Sequence, residues 1–130
     1  VAGKDYRKFE IGVGLLMTMR GIPSLYYGTE ILMADYDDGR GGGTVRKDFP
    51  GGWPEDQKSA FTGEGMGRLE NNALLYVKKL AQYRLKTPAL YQGKLMQFVP
   101  FDGVYAYFRY DDQQTVMVIV NTSDQPKTVD

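Results

Sequence analysis

Apolar and polar residues alternate along this chain with a period that changes from segment to segment. Between Asp5 and Arg20, Tyr6, Phe9, Val13, Leu16 and Met17 recur at helical spacing, and Ile11, Leu15 and Met19 widen the apolar face toward the C-terminal end. The pattern predicts a helix that becomes more buried as it proceeds. Asp5 is its candidate N-cap, Arg20 suits the negative end of its dipole, and Gly21 supplies the left-handed residue that stops it. Gly12 and Gly14 predict close packing against a sheet. Ile22 to Tyr27 follows, too short for a helix, bracketed by Gly21 and Gly28 and carrying Pro23 near its start. It reads as one buried strand, apolar on both faces, of the kind that flanking helices cover in a parallel sheet. On such a strand Tyr26 and Tyr27 point to opposite faces. Ile31 to Met33 adds a turn, and from Ala34 to Arg68 no period is sustained.

A second helix is expected from Leu69 to Lys86, with Leu69, Ala73, Tyr76, Val77, Leu80 and Tyr83 on one face. Glu70 at its start and Lys78, Lys79, Arg84 and Lys86 late in it match the helix dipole, and Thr87 before Pro88 ends it. The period then falls to two. Strands are expected over Lys94 to Val99, Val104 to Tyr110 and Gln114 to Asn121, joined by turns at Phe101-Asp102-Gly103 and Asp111-Asp112-Gln113. Because Val116, Val118 and Val120 oppose Met117 and Ile119, the third strand is expected to lie centrally in an antiparallel sheet, with a fourth beginning at Lys127.

Composition narrows the chemistry. With 42% hydrophobic and 13% aromatic residues the chain has ample material for a core. Sixteen basic residues balance sixteen acidic ones, so no net field favours DNA, RNA or an anionic membrane. The absence of cysteine and histidine removes thiol nucleophiles, disulfides, zinc-thiolate sites and Ser-His-Asp chemistry. No apolar run approaches the roughly 18 residues of a membrane span. No cofactor or metal site is read from the residues, and the compartment is left open.

Connections longer than about 15 residues usually carry function or are disordered. Phe49, Trp53 and Phe61 within the 34–68 loop favour order. In a parallel β/α unit this loop lies at the ligand-binding ends of the strands, together with Tyr27 and Glu30. Sugars need bidentate hydrogen-bonding groups and aromatic faces, which Arg46, Asp48, Phe49 and Trp53 supply. Trp53 has a rival reading as a plug holding the loop down, and Glu30 reads as a buried hydrogen-bonding anchor. Asp37, Asp38, Asp48, Glu55, Asp56 and Glu64 all lie on this loop, a poor platform for the rigidly placed carboxylate pair that glycoside hydrolysis requires. No catalytic residue is assigned. The Gly39-Arg40-Gly41-Gly42-Gly43-Thr44 run lacks the ending of a phosphate loop.

Gly21-Ile22-Pro23 with Tyr26-Tyr27-Gly28 and Glu30 resembles the last barrel strand of the α-amylase family, glycoside hydrolase family 13. Val45 to Trp53 is similar to the loop after that strand in its cyclomaltodextrinase and neopullulanase-like members, and Leu80 to Arg84 with Thr87 to Leu90 resembles the last barrel helix and its exit. The resemblance implies an α+β chain: residues 1–89 as the last helix-strand-helix of a (β/α)8 barrel, and residues 90–130 as the start of a C-terminal antiparallel β-sandwich. It further implies that Arg46 contacts glucose units of an α-1,4-glucan or cyclodextrin. In such enzymes an Asp commonly stands four residues before that Arg, where this chain has Gly42. The family's catalytic carboxylates belong to earlier strands, so the chain alone is expected to be inactive; with no partner strand for the apolar Ile22 to Tyr27, it is also expected to self-associate. The rival readings are a free-standing carbohydrate-binding module and a purely structural domain.

Overall fold

A computed structural model describes residues 5–34 and 46–128. Helix α1 is Tyr6–Thr18, a one-turn 3-10 helix is Thr29–Ile31, α2 is Arg68–Lys86 and α3 is Pro88–Tyr91. Strands β1 Lys94–Gln97, β2 Val104–Tyr110 and β3 Thr115–Asn121 form one antiparallel sheet in the order β1-β2-β3. The chain divides into two compact units, Val1–Pro23 with Lys79–Asp130, and Ser24–Lys78.

In the first unit α1 begins as expected, with the Asp5 carboxylate accepting the Arg7 N–H at 3.0 Å. It stops at Thr18, short of Arg20, and its last carbonyls are taken by arginines from elsewhere. Arg84 Nη1 donates to the Met17 and Met19 carbonyls at 2.8 and 3.3 Å, and its Nη2 donates to Gly21 at 2.7 Å. Arg109 donates to Thr18 and Gly93 at 3.0 Å each and to Lys94 at 3.3 Å. The dipole is thus answered by Arg84 and Arg109 rather than by Arg20. The Thr18 hydroxyl lies 2.6 Å from that of Tyr107, which is fully buried, and burial pushes the Tyr107 phenol up.

Register sorts the sheet into two faces. Arg109 lies between Leu95 and Val116, and Tyr107 between Gln97 and Val118. On the other face Phe108 lies between Met96 and Met117, and Ala106 is opposite Ile119. The first face is the buried one, and α3 packs on β2 and β3. The β1–β2 connection closes on Asp102 and Gly103, both with positive φ, and on the Phe101–Val104 bridge. Gly93 sits where α3 gives way to β1, so close that an added Cβ would meet the carbonyls of Ala89 and Tyr110, the latter at 2.6 Å.

Four expectations are corrected. Ile22 to Tyr27 is not a buried strand: it joins no ladder among the described residues, and Ile22 is 97% exposed. Burial there needs neighbouring strands, which an apolar run does not itself provide. Tyr26 and Tyr27 do not point apart, because the chain turns at Gly28 (φ 81°) and brings their ring centroids to 4.7 Å. β3 is an edge strand among the described residues, with Met117 and Ile119 exposed, since β2 takes the centre by pairing on both sides. Residues 127 and 128 form no strand, and the remainder of the expected fourth strand lies outside the described residues.

Candidate functional site

The second unit, Ser24–Lys78, holds every residue singled out for sugar contact. Glu70, three residues into α2, reaches back to accept the Gly67 N–H at 2.5 Å and pairs with Lys58 at 3.3 Å. That half of a capping box fixes where the loop ends and the helix begins. Ile31, Ala60, Ala73 and Val77 supply the buried apolar positions.

The loop is ordered by its own backbone. Asp56 Oδ2 accepts the N–H groups of Gly51 and Trp53 at 2.7 and 3.2 Å, folding the Gly51–Trp53 turn onto a single carboxylate. Ala60 N donates to the Pro50 carbonyl at 3.1 Å, Ser59 N to the Glu64 carbonyl at 2.8 Å, and Gly63 N to the Ser59 carbonyl at 2.8 Å. Phe49 is half-buried with its ring 5.5 Å from that of Phe61. Trp53, whose hydrogen bonds among the described residues run through its backbone, is 58% exposed. Phe61 is more exposed still.

At the other end of the loop the Tyr27 hydroxyl donates to the Lys47 carbonyl at 3.0 Å. Arg46 and Asp48, both exposed, flank that carbonyl and act on the phenol in opposite senses. Desolvation raises the Tyr27 pKa most; the Tyr26 hydroxyl and the Asp48 charge add to the rise, and Arg46 lowers it. Tyr27, Arg46 and Asp48 are therefore one cluster, and Phe49, Trp53 and Phe61 are the aromatic surface of the same loop. Asp37, Asp38 and the 39–44 glycine run lie outside the described residues. Glu30 is half-buried in the 3-10 turn and makes no hydrogen bond with another described residue, so it is not the anchor expected. No group of acidic residues able to hold a metal ion occurs among the described residues, nor is any described helix long and apolar enough to cross a membrane.

Asp56 as the clamp of the loop and Phe61 as an exposed aromatic were not distinguishable in sequence from the other acids and aromatics around them. The separation of Asp56 from Trp53 was the available signal, since a carboxylate three residues on can close a turn.

The fold and loop can now be compared with known proteins. The cyclo-malto-dextrinase C-terminal domain family matches residues 95–130. Over 125 residues the chain is 32% identical to a cyclomaltodextrin glucanotransferase of Geobacillus stearothermophilus, covering 95% of this chain and 15% of that protein. These matches are to the C-terminal region of the α-amylase family, glycoside hydrolase family 13. Another relative is the maltogenic α-amylase of Bacillus acidopullulyticus, 31% identical over 126 residues, with 93% of this chain and 18% of the relative covered. Among solved structures, a cyclomaltodextrin glucanotransferase with a three-domain ABC distribution superposes with a TM-score of 0.62 at 26% identity over 92% of this chain and 21% of that one. A debranching enzyme from Nostoc punctiforme shares the fold, with a TM-score of 0.62 at 22% identity over 92% of this chain and 21% of that one. The chain thus spans less than a fifth of the length of the two curated relatives.

Proposed function

We propose that residues 1–89 are the closing helix-strand-helix of a (β/α)8 catalytic barrel and residues 90–130 the beginning of an antiparallel β-sandwich, in an enzyme that acts on α-1,4-glucans or cyclodextrins. The observation that carries this reading is the identity to a glucanotransferase over 125 residues, which spans helices, loop and sheet together. In this arrangement Ile22 to Tyr27 becomes the last barrel strand once neighbouring strands pair with it, and the loop after it faces substrate. Arg46 and Asp48 bond sugar hydroxyls, Trp53 and Phe49 offer ring faces, and Tyr27 holds the start of the loop in place. The catalytic carboxylates belong to other strands. In support, Asp56 is committed to two backbone N–H groups of the loop.

Trp53 is the only tryptophan of the chain, so its fluorescence reports on this loop alone. Titration with maltoheptaose and with β-cyclodextrin is expected to give a saturable change, without release of reducing ends. Sustained turnover abolished by changing a carboxylate within residues 1–130 would overturn the assignment of catalysis to other strands. No fluorescence or melting response to either sugar would favour a purely structural role. The exposed Trp53 and Phe61 also suit a free-standing carbohydrate-binding module. Sequencing upstream of Val1 separates the two, since in-frame β/α units there support the barrel and a nearby start codon supports the module.

A further inference from the structure

In the first unit a cleft of about 620 Å³ lies where the end of α1 meets the α3–β1 junction and the end of β2. Arg20, Lys94 and Arg109 line it, with Tyr91 and Tyr110. Three cations therefore share one concavity. No carboxylate pairs with any of them among the described residues. The adjacent acid in sequence, Asp111, is turned into the β2–β3 connection, where it accepts the N–H groups of Gln113 and Gln114 at 2.9 Å each. Arg109 is 1% exposed and spends its known hydrogen bonds on carbonyls, which answer its donors but leave its charge uncompensated. Arg84, also buried, adds a second uncompensated charge nearby. Arg20 and Lys94 are exposed and make no side-chain hydrogen bond to a described residue.

We propose that this cleft is an oxyanion-binding site, taking a carboxylate or phosphate group between Arg20 and Lys94 with Arg109 supplying positive potential from its buried wall. The site is separate from the sugar-facing loop and does not depend on the reading of that loop. An arginine fork and a lysine ammonium match the acceptor geometry of either group, and the two tyrosine hydroxyls supply further donors. Burial, and then the charges of Arg84 and Arg20, lower the Arg109 pKa. Two sources offer such a group: a free oxyanion, or the Asp or Glu side chain of a polypeptide segment.

The test is a titration of the 130-residue chain with inorganic phosphate and, separately, with N-acetylaspartate amide, at ionic strength held constant with sodium chloride. Amide and arginine side-chain NMR shifts are the readout. Saturable shifts confined to residues 20–22, 91–95 and 109–110 are expected, with dissociation constants in the millimolar range. Arg20→Gln and Lys94→Gln, both at exposed positions, should each weaken binding about tenfold, the effect of one charge-assisted hydrogen bond. Arg109 is left intact because its loss would also strip three carbonyls. Tighter phosphate binding identifies a free oxyanion as the occupant, and tighter binding of the aspartate amide identifies a side chain. Absence of saturation by either ligand at tens of millimolar would overturn the proposal. So would unchanged shifts in the double variant.

Discussion

Arg84 and Arg109 hold the end of α1 in a way no capping residue of the helix itself does. Each guanidinium spreads its donors over three carbonyls, and a charge-assisted hydrogen bond contributes roughly 1.5–3 kcal/mol against the cost of burying the charge. Replacing Arg84 by Ala leaves the carbonyls of Met17, Met19 and Gly21 without these donors and is expected to destabilise the chain by about 2–4 kcal/mol in urea unfolding. A loss below about 0.5 kcal/mol would mean that water replaces the guanidinium without penalty. Arg46 is the opposite case, exposed and in coil. Arg46→Ala is expected to leave the melting temperature unchanged while weakening maltoheptaose binding about tenfold to a hundredfold, and shorter maltooligosaccharides less. The same change should raise the Tyr27 pKa further, because Arg46 is the one charge that lowers it, whereas Asp48→Asn should bring that pKa down. Tyrosine ring-carbon NMR titration reads both signs. An equal loss at every sugar length, with a fall of several degrees in melting temperature, would make Arg46 structural.

At the scale of elements, what the chain leaves to contact matters as much as what it writes in periodicity. α2 begins within a residue of its expected start and ends where expected, because Glu70 reaches Gly67 and Pro88 forbids continuation. β2 matches its expected bounds, being set by alternation and by the Asp102-Gly103 turn. α3 was not foreseen: Pro88 ends one helix and, at an N-terminal helical position, starts another. The α3–β1 junction depends on Gly93. Gly93→Ala is expected to cost about 1–3 kcal/mol, since the added methyl meets backbone rather than a side chain that can move. Thermal and urea unfolding of this variant beside Gly12→Ala make the comparison internal, because a Cβ at Gly12 meets nothing within 4 Å. Equal stability of the two variants would show that the junction relaxes freely.

For the whole molecule, exposed apolar surface predicts association. Met96, Met117 and Ile119 lie on the outer face of the sheet, and Phe98 continues past β1, all about half exposed or more, while Ile22 is nearly bare. Such a face, with an edge strand beside it, is a pairing surface in the absence of a cover. The 130-residue chain is expected to self-associate at micromolar concentration, and Met117→Lys with Ile119→Lys to reduce that association without loss of the β2–β3 pairing. Light scattering decides it: a monodisperse monomer of the unmodified chain would show that the face is tolerated in water.

What the sequence determined by itself is local. Helical period, the Asp5 cap, the Pro88 stop and the Asp102-Gly103 turn are each written in a few neighbouring residues, and so are the motifs from Gly21 to Trp53 that resembled the α-amylase family. Tertiary structure decided the rest, wherever a residue's role depends on groups remote in the chain. Arg84 read as one of several late cations matching the α2 dipole, and Arg109 as one position of an alternating strand, until residues 17–21 and 93–94 bring carbonyls to them. The alternation that sets Arg109 beside Tyr107 and Tyr105 on one face of β2 was the only advance sign of its burial. Asp56 read as one loop acid among several until its carboxylate closed on Gly51 and Trp53. Ile22 to Tyr27 read as buried because apolar side chains require cover, but cover comes from partners, and hydrophobicity states only the need for them.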